Sequence, residues 1–76
     1  MDDNTFFVQT YVFSHRFGRG CTCTLRTPTQ AAMMMMRHGN YWEDRNGSNE
    51  FEGPFTLEEA KEYIANNDYY VPAMSA

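Results

Sequence analysis

Between Thr5 and Phe17 the chain reads TFFVQTYVFSHRF, rich in Phe, Val, Tyr and Thr and free of proline and glycine, which predicts a long β-strand. Alternation places Phe7, Gln9, Tyr11, Phe13, His15 and Phe17 on one face and Phe6, Val8 and Val12 on the other. Both faces carry apolar residues, so both are expected to be partly covered. Gly18-Arg19-Gly20 supplies a reversal, and Cys21–Arg26 returns as the partner strand of a hairpin. Thr27-Pro28-Thr29-Gln30 then sets a capping threonine, a proline at the first helical position and a glutamine at the third, predicting a helix over 28–38 that ends at Gly39. Tyr41–Arg45 and Ser48–Glu52 flank Asn46-Gly47, a pair suited to a two-residue type I′ turn. Thr56-Leu57-Glu58-Glu59 is a second capping box and opens a helix over 57–66, with Asn66-Asn67 as its exit. Tyr69–Val71 closes as a short strand stopped by Pro72, and residues 1–4 and 73–76 read as frayed ends of a single domain.

Residues 27–42 laid on 56–71 without a gap match Thr27 with Thr56, Ala31 with Ala60 and Tyr41 with Tyr70. Both segments run cap, helix, exit, aromatic strand. From Cys21 onward the order is therefore βαββαβ, the split-βαβ or ferredoxin-like plan: an α+β fold with a four-stranded antiparallel sheet and two helices on one face. The strand at Thr5–Phe17 is expected as an added N-terminal arm. Helix phase in the second helix makes Leu57, Ala60, Tyr63 and Ile64 the buried stripe and leaves Glu58, Glu59 and Glu62 in water. Carried back to the first helix, Ala31, Met34 and Met35 become core and Met33 is left outside as adaptable contact surface.

At 76 residues this is one small domain, with 12 aromatics and six methionines to build its core. The longest apolar run, Ala31–Met36, is far short of a membrane span, and the acidic start lacks the basic region of a signal peptide, so the expected setting is the cytoplasm, without a membrane. The net charge of −4 conceals an uneven distribution. Residues 1–42 set Arg16, Arg19, Arg26 and Arg37 against Asp2 and Asp3, whereas residues 43–76 set eight acids against Arg45 and Lys61. An acidic C-terminal half opposes direct nucleic-acid binding, which requires a basic stripe. It suits a protein partner whose own surface is basic.

Motifs for chemistry are scarce. Cys21, Cys23, His15 and His38 are the residue types of a zinc site, yet their spacing does not converge, and buried thiols acting as small apolar groups are the simpler reading. No phosphate loop, metalloprotease motif or nucleophile elbow is present, so neither enzyme nor cofactor is expected. Strand alternation divides Glu43, Asp44, Glu50 and Glu52 between faces, which points to solvated charge. Tyr41, Trp42 and Tyr70 beside these acids have the composition of a protein-binding hot spot. The expected contact surface is thus Tyr41, Trp42, Glu43, Asp44, Glu50, Glu52, Glu58, Glu59, Glu62 and Tyr70, with Met33.

The run Phe51-Glu52-Gly53-Pro54-Phe55-Thr56-Leu57-Glu58-Glu59-Ala60 resembles the strand, Gly-Pro-Phe, helix element of SPOR domains, peptidoglycan-binding modules of βαββαβ fold; that resemblance implies glycan binding. In size, acidity and lack of motifs the chain also resembles bacteriophage accessory and inhibitor proteins, anti-CRISPR proteins among them. This likeness of type implies a non-catalytic binder that occludes a nucleic-acid-binding protein complex. An RNA-binding regulator is the third expectation.

Overall fold

A computed structural model describes residues 5–74; of the frayed ends expected at 1–4 and 73–76, residues 1–4 and 75–76 lie outside the described residues, while Ala73 N donates to the Phe17 carbonyl. The elements are β1 (Phe6–His15), β2 (Gly18–Arg26), α1 (Pro28–His38), β3 (Tyr41–Glu43), β4 (Gly47–Phe55), α2 (Leu57–Asn67) and β5 (Tyr69–Pro72). All strands join one antiparallel sheet in the order β3-β4-β1-β2-β5.

This order corrects the four-stranded, ferredoxin-like expectation. A ferredoxin-like sheet built from β2 onward would set β2 beside β4, with β1 outside. Instead β1 is wedged between them at the centre, pairing with β2 from Phe7 to His15 and with β4 from Phe6 to Phe13. The reason is visible in its sequence: β1 is the longest strand and carries apolar groups on both faces, as only a central strand can bury. Gly47 helps admit it, since a Cβ there would collide with the Val12 carbonyl oxygen.

Inserting one antiparallel strand makes β2 and β4 run parallel to each other, and this decides where the helices lie. The units β2-α1-β3 and β4-α2-β5 are then related by an approximate two-fold axis along β1, in the plane of the sheet, and such an axis exchanges the faces. Side-chain parity agrees. Val8, Thr10 and Val12 share a face with Leu25, Cys23 and Cys21 of β2, with Glu52, Glu50 and Ser48 of β4, and with Tyr41 and Glu43 of β3. Here α2 docks: Tyr63 lies 5.4 Å from the ring of Phe55, the partner of Phe6, and the Asp68 carboxylate accepts a hydrogen bond from Cys23 N. Gln9, Tyr11 and Phe13 share the other face with Thr24, Thr22, Phe51, Asn49 and Trp42. There α1 ends with His38 stacked 4.7 Å from Trp42, which in turn meets Phe51. The helices therefore cover opposite faces, where one shared face was expected.

The internal repeat survives this change. Thr27 and Thr56 both form complete capping boxes, Ala31 and Ala60 are fully buried, and the amides of Gly39 and Asp68 close on Met35 and Ile64, always 29 residues apart. Gly39 leaves α1 with φ of 82°, a conformation reserved largely for glycine. The expected Asn66-Asn67 exit is not used, because Asp68 ends α2 in an extended conformation and spends its side chain on β2. The β1–β2 reversal occurs at Arg16-Phe17, two residues before the expected glycines, with His15 paired to Gly18.

Candidate functional site

Two surfaces emerge from this topology, one on each face. On the α2 face, Glu50 and Glu52 of β4 are two residues apart and so point the same way, and Glu43 joins them because it pairs with Ser48. Tyr41 sits across from Glu50 and donates its hydroxyl to Glu43 Oε2 at 2.8 Å, a bond that raises the phenol's pKa. On the same face α2 carries Glu58, Glu59 and Glu62, all exposed. Tyr63 is pushed above its ordinary pKa first by burial and then by Glu52 nearby. Seven acids, counting Asp68, therefore face two cations, Arg19 and Lys61, on this side.

The structure thus gathers Tyr41, Glu43, Glu50 and Glu52, places Glu58, Glu59 and Glu62 of α2 on the same face, and separates the other candidates. Asp44 lies in the β3–β4 turn, where its Oδ1 accepts from Asn46 N, Gly47 N and the Tyr11 hydroxyl at 2.9 to 3.0 Å. Those bonds hold its carboxyl below the usual range, the backbone bond from Asn46 foremost. Trp42 is half-buried between His38 and Phe51 on the opposite face. Tyr70 is on that face too, with its ring 6.2 Å from Phe13 and its hydroxyl donating to the Phe17 carbonyl. Met33 is 64% exposed and Met36 88%, both on the outer side of α1.

The α1 face was not singled out from sequence. An open concavity of about 310 Å³ there is lined by Gln9, Tyr11, Thr22, Thr24, Arg26, Asp44 and Asn49. Arg26 Nε donates to Gln9 Oε1 at 3.1 Å, and Gln9 Nε2 donates to Asn49 Oδ1 at 3.0 Å, so three strands are laced by one polar chain. Above it Tyr11, Phe13, His15 and Phe17 form an aromatic row, with the Arg16 guanidinium 5.2 Å from the Phe17 ring. No signal in the sequence marks this surface, because it exists only once β1 is paired on both sides.

Cys21 and Cys23 both lie on the α2 face with sulfurs 3.9 Å apart, whereas His15 and His38 belong to the α1 face, so the four residues do not converge. Burial, followed by the neighbouring Cys21, pushes the Cys23 thiol up to about 12, which disfavours a nucleophilic thiolate. Among the described residues no helix is long and apolar enough to cross a membrane.

Comparison with protein-family models, with curated proteins and with solved structures gives no significant match for this chain.

Proposed function

We propose that the chain is a non-catalytic binding protein whose working surface is the acidic α2 face, and that its partner is a protein with a basic, nucleic-acid-binding surface. The observation that carries this reading is the gathering of Glu43, Glu50 and Glu52 beside Tyr41, on the face that also carries the carboxylates of α2. Adjacent carboxylates at strand spacing meet Lys and Arg side chains that otherwise hold phosphates, so docking here occludes the nucleic-acid site. The setting is the cytoplasm, and the mode of action is that of a phage-type inhibitor of the anti-CRISPR kind. Tyr41 serves as the aromatic anchor; Trp42 and Tyr70 face the other way. The glycan-binding alternative loses its support in fold, because the sheet is not the four-stranded SPOR plan.

The test is capture from nuclease-treated host lysate by the native chain and by Glu50→Lys with Glu52→Lys. The expected partner is retained by the native chain, lost with the double variant, and loses its own nucleic-acid binding when the native chain is added. A partner that tolerates both reversals, or binds nucleic acid undisturbed, would refute the acidic-face reading.

A further inference from the structure

Among the described residues much apolar surface stays in water: Val8 is the largest side chain that is fully buried, while Phe17, Val12, Met33, Met36 and Val71 remain 42 to 88% exposed.

The edges of the sheet are poor places to hide this surface. β3 is three residues long and bears Glu43, and β5 ends at Pro72. Ala73 N donates inward to the Phe17 carbonyl, so by alternation Pro72 turns outward, where it has no N–H to offer. The faces are better suited. The in-plane two-fold gives both the same relief: a helix crossing obliquely from the open end of the hairpin, and bare sheet toward the Arg16-Phe17 turn. The same axis leaves them opposite in charge. The α1 face presents Arg16 over the Phe17 ring, Arg26, and Arg37 beside Met33 and Met36, and its carboxylate Asp44 is already engaged by Tyr11 and two amides. The α2 face carries the seven acids described above.

We propose that the chain stacks on a second copy of itself, the α1 face of one on the α2 face of the next. In this arrangement the α1 ridge of Met33, Met36 and Arg37 seats on the bare sheet bearing Val12, Tyr41, Glu43 and Glu50. The α2 ridge, with Glu58 and Glu62, seats beside Phe13, His15 and Tyr70 of the other copy. The occupant is a second copy because relief and charge are matched within one chain. The contact is heterologous, so each copy keeps one unused face and further copies can add. The stacking shares the acidic face with the proposed partner but is tested on purified chain alone, so either reading can fail without the other.

Sedimentation velocity decides it, using native chain, Glu50→Lys with Glu58→Lys, and Arg16→Glu with Arg37→Glu, each checked for fold by circular dichroism. The native chain is expected to sediment above the monomer mass in low salt and to dissociate toward it in about 0.5 M salt, as the Debye length contracts from about 30 Å to below 8 Å. Each double variant alone, having one working face, is expected to be monomeric. Mixed in equal amounts, the two reversed faces attract while the two native faces still match, so the mixture must re-associate. A native chain that stays monomeric in low salt overturns the proposal. So does association that survives in either variant alone, which marks a symmetric contact, or a mixture of folded variants that stays monomeric. A monomeric native chain that binds single-stranded oligonucleotide assigns the arginine-bearing face to nucleic acid instead.

Discussion

Oδ1 of Asp44 accepts three hydrogen bonds and so fastens the β3–β4 turn to the central strand. A carboxyl held below its usual pKa stabilises the fold above its unfolded value, and that contribution disappears as pH falls through the lower folded value. The protection of the Asn46 and Gly47 amides against hydrogen exchange, relative to their intrinsic rates, should therefore fall as pH drops below about 4, ahead of the helices. The same bond raises the Tyr11 phenol, an effect of opposite sign: its contribution is complete below the unfolded value near 10 and is lost as pH rises through the folded one. Asp44→Ala is expected to return the Tyr11 titration to about 10, followed by NMR of its ring; an unmoved Tyr11 would show that the bond is not formed in solution. Cys23, held near 12, should react with iodoacetamide far more slowly at pH 8 than a free thiol, measured by mass spectrometry.

At the scale of the element, the two helices should respond alike. Thr27→Ala and Thr56→Ala each remove one of a pair of reciprocal caps, for an expected loss of about 1 kcal/mol apiece in denaturant unfolding. Ala31→Leu and Ala60→Leu insert volume where the helix meets the sheet most closely, and about 1–3 kcal/mol of destabilisation is expected for each. The helices were legible in the sequence because their signals are local: a threonine three residues before Gln30 or Glu59, an alanine four residues after each threonine, and apolar residues at three- and four-residue intervals. The turn was less legible. Asn46-Gly47 has the composition of a two-residue reversal, but the Asp44 carboxylate closes a longer turn over Asp44–Asn46, and Gly47 is required for clearance against Val12. Strand order was not legible at all. The βαββαβ pattern is present in the chain, and nothing local states whether the preceding strand lies at the edge or enters the middle.

For the whole molecule, the position of β1 governs which residues share a face. Were β1 at the edge, β2 and β4 would be antiparallel neighbours, both helices would share a face, and the opposite face would be open sheet. At the centre it sends each helix to its own face and distributes charge accordingly, so that Glu43, Glu50 and Glu52 gather on one side and Trp42 and Tyr70 on the other. This is why composition could point to an acidic, aromatic surface while the surface itself retains only Tyr41 of the three proposed anchors. The arrangement also makes a sharp prediction about truncation. A chain beginning at Arg16 keeps every element of the βαββαβ pattern, and with an edge arm removed it would remain folded. With β1 central, the deletion strips both β2 and β4 of the partner they share, exposes Thr10's neighbours Cys23 and Glu50 along two bare edges, and removes Val8 from the contact layer. The truncated chain is expected to lose its cooperative thermal transition and its dispersed amide spectrum. A synthetic peptide spanning residues 5–15, added in excess, should restore both by strand complementation, because β1 makes its pairings through main-chain bonds on either side. A truncated chain that unfolds cooperatively without the peptide would return β1 to the edge of the sheet, and with it the assignment of the two faces would fall.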